Sequence, residues 1–270
     1  VANAIPDQTI AEDSALSFQF NSDVFADVDT GESLNYTATL SDGSALPTWL
    51  TFDAATRTFS GTPLNENVGA IDVKVTATDS GSVSITDTFI LTITNTNDAP
   101  TVANAIPDQA ATEDSAFSYQ FNSNVFVDVD AGDSLTYTAT LSDGSALPSW
   151  LTFDADTRTF SGTPLNANVG AIDVKVTATD SGNDAISDTF NLTVANTNDA
   201  PTGSLSISGT ATQGQVIKAV STLADADGIG DLAYQWSEDG VAISGATSST
   251  FTPGQDQVGK QITVSVSYTD

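Results

Sequence analysis

Tandem antiparallel β-sandwiches with Greek-key connections are the all-β fold class that this sequence predicts, on three observations. Apolar residues alternate with a period of two and not 3.6, turn clusters interrupt them at short intervals, and the first hundred residues recur almost unchanged in the second hundred. Residues 1–101 align without a gap on residues 102–202 with 81 identities. Val1-Ala-Asn-Ala-Ile-Pro-Asp-Gln8 returns as Val102 to Gln109, and Leu46-Pro-Thr-Trp-Leu-Thr-Phe52 returns as Leu147-Pro-Ser-Trp-Leu-Thr-Phe153. Residues 203–270 have a different sequence, so three domains are expected, at 1–98, 99–199 and 200–270.

Taken in order, the first copy alternates at Phe18 and Phe20, at Leu34, Tyr36, Ala38 and Leu40, at Ile71, Val73, Val75 and Ala77, and at Phe89, Leu91 and Ile93. Each run reads as a half-buried strand. Asp29-Thr-Gly31, Ser41-Asp-Gly-Ser44 and Ser80-Gly81 are the turns between them. Strands this closely spaced, with no helical stretch, predict a two-sheet sandwich. The last segment follows the same grammar. Leu205 and Ile207 alternate, then Ile217 and Ala219; Tyr234-Gln-Trp236 runs into a Glu238-Asp-Gly240 turn; Ile262, Val264, Val266 and Tyr268 close it. Trp236 resembles the strand-C Trp of immunoglobulin-like domains, without the Cys pair. Asp79 of the first copy is followed by another strand whereas Asp270 is not, so the third sandwich is expected to be cut short at its last strand. The absence of an initiator Met and of an apolar signal segment at Val1 suggests an internal piece of a longer protein.

Composition restricts the chemistry. There are 35 Asp and Glu against six Lys and Arg, a net charge of −29. A surface of that sign repels nucleic acid and anionic membrane and attracts cations. With no Cys and no His, thiolate and imidazole metal sites cannot form, and nucleophilic catalysis built on those groups goes with them. No run approaches the roughly 20 apolar residues of a membrane-spanning helix.

Between the repeats stands a hinge, Asn95-Thr-Asn-Asp-Ala-Pro100, which recurs as Asn196-Thr-Asn-Asp-Ala-Pro201. Such a joint is either flexible and solvated or stiffened by something that binds oxygen. Each full copy also carries Glu12-Asp13, Asp27-x-Asp29 and Asp79, or their counterparts Glu113-Asp114, Asp128-x-Asp130 and Asp180. Two unpaired carboxylates 4 Å apart repel by about 1 kcal/mol even in a water-like dielectric. A hard dication relieves this, and calcium takes six to eight oxygens from carboxylates, Asn and backbone carbonyls. Agreement between two near-copies is weak support for such sites; the divergent third segment is the better test. There, Ala224-Asp225-x-Asp227-x4-Leu232-x-Tyr234 repeats the spacing of Ala26-Asp27-x-Asp29-x4-Leu34-x-Tyr36, and Val264-x-Val266-x-x-x-Asp270 that of Val73 to Asp79.

An early Glu, an Asp-x-Asp, an Ala-x-Asp-x-Gly and a terminal Asn-x-Asn-Asp-Ala-Pro together resemble the calcium-dependent cadherin repeat. Leu-Pro-x-Trp-Leu-x-Phe-Asp and Phe-Ser-Gly-Thr-Pro are similar to the dystroglycan-type cadherin-like domains of giant bacterial surface proteins. The resemblance covers residues 1–202 well and 203–270 loosely. It implies Ca2+ at each domain junction, held at the first by Glu12, Asn97, Asp98, Asp128, Asp130 and Asp180. At the second it implies Glu113, Asn198, Asp199, Asp225, Asp227 and Asp270. The Leu-Asp-Arg-Glu stretch of cadherins is absent, with Phe59-Ser-Gly-Thr-Pro63 in its region, which implies a missing ligand and fewer ions per junction. Asp27, Asp29 and Asp79, with no partner before them in this sequence, are expected to form a weak or empty half-site.

Plainer readings stand beside these. The acids can be solvated turn caps, and Asp98 can simply terminate a strand. Trp49 and Trp150, flanked by strand-like Leu and Phe, read as packing residues more readily than as sugar platforms. Asn35-Tyr-Thr37 and Asn191-Leu-Thr193 fit the glycosylation triplet but fall inside strands. Paired carboxylates can hydrolyse glycosides, yet these lie at domain ends with no legible groove, so the chain is read as non-enzymatic. The expected function is a calcium-rigidified spacer of a secreted or cell-surface adhesin, monomeric, with the neighbouring domains of its own chain as partners. The alternative is a carbohydrate-binding module, with polysaccharide as partner, in a surface protein or secreted hydrolase.

Overall fold

The computed structural model of the chain describes residues 1–28 and 33–269. Asp29, the Asp29-Thr-Gly31 turn and Asp270 therefore lie outside the described residues. The chain forms two compact units, one of Val1–Ala105, Ser123–Tyr137 and Thr177–Asp188, the other of Ile106–Asn122, Thr138–Val176 and Thr189–Asp270. Each hinge, with the loops that face it, falls within one unit. No helix among the described residues is long and apolar enough to cross a membrane.

The first copy supplies β1 (Gln8–Ala11), β2 (Leu16–Gln19), β3 (Asn35–Leu40), β4 (Leu50–Asp53), β5 (Thr58–Gly61), β6 (Gly69–Thr78) and β7 (Ser84–Thr94). The second supplies β8 (Thr101–Val102), β9 (Gln109–Thr112), β10 (Phe117–Gln120), β11 (Phe126–Val127), β12 (Thr136–Leu141), β13 (Leu151–Asp154), β14 (Thr159–Gly162), β15 (Gly170–Thr179) and β16 (Ala185–Ala195). The last segment gives β17 (Leu205–Ser208), β18 (Ile217–Ser221), β19 (Ala233–Glu238), β20 (Val241–Ala242), β21 (Thr250–Phe251) and β22 (Ile262–Ser267).

In the first unit, sheets β1-β7-β6-β3 and β2-β5-β4 face each other across an apolar core. The alternation read from the sequence is what fills it. Val73, Val75, Ala77, Phe89, Leu91 and Ile93 are all buried on one face of β6 and β7, and from the other sheet Phe59 packs edge-on against Phe89 with ring centroids 5.4 Å apart. Gly61 lies so close to the Trp49 carbonyl that a Cβ there would stand 1.8 Å from its oxygen, so no side chain can replace it. Acids cap the turns: Asp42 accepts from the Ser44 amide and hydroxyl, and Asp53 from the Ala55 amide and Thr56 hydroxyl. These hydrogen bonds hold both carboxyls below their ordinary value.

One pairing departs from a purely antiparallel sandwich. β1 runs parallel to β7, Gln8 opposite Leu91 and Ile10 opposite Ile93. Two acids tie the entering chain to that edge: Asp87 accepts from the Ile5 amide at 2.6 Å, and Asp7 from the Ile90 amide at 2.8 Å. In the second unit β9 and β16 are parallel in the same register, with Leu192 opposite Gln109.

The last segment forms sheets β17-β18-β21 and β20-β19-β22. Trp236 is completely buried, stacked on Phe251, and its indole N–H donates to the Ser248 carbonyl at 2.8 Å. Asp239 and Gly240 both adopt positive φ in the β19–β20 turn, as a type I′ hairpin requires. Ile207, by contrast, is 37% exposed, because the small core of Ile217, Ala219 and Trp236 takes in Leu205 but does not reach along β17 to it.

Candidate cation sites at the two hinges

The first hinge leaves the end of β7, where β1 delivers Glu12. The Glu12 amide donates to the Thr94 carbonyl at 3.0 Å, which carries the side chain inward under the hinge. Its carboxylate is only 2% exposed; Oε1 accepts from the Thr96 amide at 2.8 Å, and Oε2 is buried with no hydrogen-bond partner. A buried carboxylate oxygen in that condition costs folding free energy unless something else satisfies it.

Asp130, itself 8% exposed, faces Glu12 from the loop after β11. Its Oδ2 accepts from the Asp98 amide and its Oδ1 from the Asn65 side-chain amide, both at 2.8 Å. The Asp130 amide in turn donates to Asp128 Oδ1 at 2.9 Å, and Asp128 Oδ2 is buried without a hydrogen-bond partner. The Asp-x-Asp spacing therefore works as a loop in which one acid holds the next. Carboxylate oxygens of Glu12, Asp98 and Asp130 lie within 4.8 Å of one another, and so do those of Asp128, Asp130 and Asp133. Asp130 belongs to both groups. Partial burial, then the charges of Asp130, Asp13 and Asp128, push the Asp98 carboxyl above its ordinary range.

Asn97 reaches the other side. Its amide donates to Asp180 Oδ2 at 3.1 Å and Asp184 Oδ2 at 2.9 Å, while Asp180 Oδ1 closes its own turn by accepting from the Asp184 amide. Gly182 makes room, since a Cβ there would lie 2.2 Å from Asn97 Oδ1. A cleft of about 220 Å³ opens here, lined by Asn95, Asn97, Asp130, Gly132, Asp133 and Ser181.

The second hinge repeats the plan. Glu113 is 1% exposed; Oε1 accepts from the Thr197 amide and Oε2 is buried and unpartnered. Asp227 accepts from the Asp199 amide at 2.6 Å and the Asn166 side chain at 3.0 Å, and its own amide donates to Asp225 Oδ1 at 3.0 Å. The Tyr268 hydroxyl donates to Asp225 Oδ2. Asn198 donates to the carbonyl of Asp199 at 3.2 Å. Partial burial and Asp114, Asp227, Glu113 and Asp225 raise the Asp199 carboxyl.

The structure thus gathers Glu12, Asp98, Asp128 and Asp130 at one hinge, with Asn97 and Asp180 beside them, and Glu113, Asp199, Asp225 and Asp227 at the other. Between β6 and β7 of the first copy, Asp79 Oδ1 accepts from the Val83 amide as a turn closure. Asn35 and Asn191 lie in β3 and β16 as read, and Trp49 is half-buried against the first core. Sequence reasoning missed Asn65, Asn166, Asp133, Asp184 and Tyr268. Asp184 could have been found as one of the few differences between copies, since its counterpart is Val83. Lys260–Glu238 is the ion pair recorded among the described residues, away from both hinges. Every donor offered at the hinges is oxygen, or an amide that carries one, which suits a hard dication.

Paired β-sheets in successive repeats, joined by hinges that bring carboxylates together, define a tandem Ig-like and cadherin-like β protein. The model of the family described as "Putative Ig domain" (He_PIG) matches residues 1–94 and 99–195, and the chain belongs to that family. Among curated proteins, a "Serine-rich adhesin for platelets" of Staphylococcus aureus is 33% identical over 174 residues, 64% of this chain and 7% of the adhesin. The adhesin of a second strain is 33% identical over 170 residues, 63% of this chain and 11% of its own length. The chain spans only a small fraction of these relatives. Among solved structures, mouse cadherin-23 EC22-24 superposes with a TM-score of 0.53 at 15% identity, covering 93% of this chain and 85% of that one. Human CDH23 EC21-23 does so with a TM-score of 0.53 at 19% identity, covering 82% and 84%. These two likenesses are of fold.

Proposed function

We propose that the chain is a calcium-stiffened extender of a large secreted or cell-surface adhesin, with sandwich domains at 1–98, 99–199 and 200–270 and an ion-binding joint at each hinge. One observation carries the reading. In both units a Glu almost wholly withdrawn from water keeps one oxygen bonded to the hinge backbone and leaves the other without a hydrogen-bond partner. At the first hinge that Glu lies beside two more carboxylates, and among the described residues no ion pair to any of the three is present. The residues fit Ca2+ by type: Glu12, Asn97, Asp98, Asp128, Asp130 and Asp180 would hold it at the first hinge. At the second, the set would be Glu113, Asn198, Asp199, Asp225 and Asp227, with Asp270 outside the described residues. A bound dication supplies two positive charges and a demand for six to eight oxygens. The chain's residues do the rest: Glu12 and Asp98 come from one repeat and its hinge, Asp128 and Asp130 from the next, so sharing one ion ties the two together. Extracellular calcium modules work at roughly 10⁻⁴ to 10⁻³ M, so such joints fill outside the cell. Relatives named as adhesins support the setting, and the non-enzymatic reading follows from it. The dystroglycan-type assignment belongs to the same proposal.

Isothermal titration with calcium, alongside small-angle scattering with and without chelator, tests it. Uptake of calcium together with a longer, narrower particle is the expected result. No uptake, or a maximum dimension unchanged by chelator, would refute the stiffening role.

A further inference from the structure

The cadherin resemblance leaves a gap where an acidic stretch should approach each junction, and in the structure an amide stands there. Asn65 opens a short 3-10 turn, Asn65–Asn67, that follows Gly61-Thr-Pro-Leu64 directly. The turn is held by the Leu64 amide donating to Asn67 Oδ1 at 2.9 Å, which leaves the half-buried Asn65 side chain aimed at Asp130, 2.8 Å from Oδ1. The second unit does the same. Leu165 N–H and Asn168 Oδ1 clamp the turn Asn166–Asn168, and Asn166 meets Asp227 Oδ1 at 3.0 Å. The two Asn belong to near-identical copies, but their acceptors belong to unlike segments. Asp130 sits in the second copy and Asp227 in the divergent last segment, so the arrangement recurs on unlike partners.

We infer that Asn65 and Asn166 each give a neutral oxygen ligand to the cation at their hinge, an inference that rests on the calcium reading above. The carboxylates there already include a buried Glu with an unpartnered oxygen, Glu12 at one hinge and Glu113 at the other. With Glu12, Asp98, Asp128 and Asp130, the first hinge brings four negative charges to one place. A fifth acid would add repulsion of about 1 kcal/mol per close pair, while six to eight oxygens are still required. An amide adds an oxygen and no charge. Its terminal torsion is soft and its two ends nearly isosteric, so half a turn exchanges the N–H now facing Asp130 for the carbonyl oxygen. Backbone position, set by Pro63 and the Asn67 clamp, does not have to change.

Calcium titration of the full chain tests this with three variants, Asn65→Ala, Asn65→Asp and Asn166→Ala, each checked by circular dichroism to be folded in chelator. Asn65→Ala should weaken one set of sites roughly tenfold and spare the other, and Asn166→Ala should do the converse. Asn65→Asp keeps an oxygen but cannot donate, so it should bind at least as tightly as the unaltered chain. Binding by Asn65→Asp as weak as by Asn65→Ala would overturn the inference and make Asn65 a donor that only positions Asp130. Asn65→Ala indistinguishable from the unaltered chain would also overturn it, leaving the calcium reading intact. An unaltered chain that takes up no calcium would bring down both.

Discussion

The two hinges share a hexapeptide and differ in part of what faces it. At the first, Asp130 stands in two carboxylate groups, Asp133 adds a third acid to its loop, and Asn97 spans to Asp180 and Asp184. At the second, Gly228-Ile-Gly230 follows Asp227, and Tyr268 occupies one oxygen of Asp225. What they keep in common is a smaller set: a buried Glu, an Asp-x-Asp loop, the hinge Asp and an Asn from the preceding repeat. On the calcium reading proposed above, the constant set is the minimum a joint requires, and the variable remainder sets how strongly each one grips.

The largest test of that contrast is Asp130→Ala against Asp227→Ala. Asp130 serves two groups, so its loss should cost on the order of 100-fold in calcium affinity at the first hinge. Asp227→Ala should cost less at the second, as read by calorimetric titration; equal losses would mean the hinges are equivalent. Next, Asp184→Val restores the residue of the first copy. It should lower first-hinge affinity several-fold, on the order of an outer ligand's worth, and bring its titration toward that of the second hinge. Third, Glu12→Gln removes a buried charge of which one oxygen is unsatisfied. In chelator it should raise the first melting transition by roughly 2–4 °C, while abolishing the further rise that the proposed calcium binding would give the unaltered protein. A fall in chelator would show that the Glu12 charge is already compensated.

The smallest effect is on pH. Asp98 and Asp199 have carboxyls raised above 3.8 in the folded chain, so the stability they contribute is full below 3.8 and is lost as pH rises through the raised values. In chelator, acidifying from neutrality should therefore firm the hinges slightly, and the double variant Asp98→Asn, Asp199→Asn should lose that slope in melting temperature. The turn acids Asp53 and Asp154 act oppositely. Hydrogen bonds hold them low, so their contribution is present above 3.8 and disappears only as pH falls through their lower folded values. The window between 3.8 and the raised hinge values isolates the hinge signal.

Period-two alternation made the strands of the copies legible, because burial on one face of β6 and β7 leaves no other reading for Val73, Val75, Phe89 and Leu91. Ile207 misled because alternation records which face a side chain takes, not whether a neighbouring sheet covers it. The acids at the hinges were visible through their spacing within short loops. Asn65 and Asn166 were not, since nothing in Gly-Thr-Pro-Leu-Asn announces that a turn 65 residues before Asp130 will meet it. Nor was the parallel β1–β7 pairing, which depends on Asp7 and Asp87 finding backbone amides more than eighty positions away. Contacts made across such separations are decided by the sandwich as a whole.

That parallel pairing has a mechanical consequence. β1 receives the chain as it enters a repeat and β7 hands it on, and the two lie side by side pointing the same way. A pull on the ends drags β1 back and β7 forward along their common axis, so the hydrogen bonds between them share the load and must fail together. An antiparallel pair with both ends on one side would instead unzip rung by rung. The edge that looks like an irregularity in the sheet is the clasp that lets a repeat bear tension.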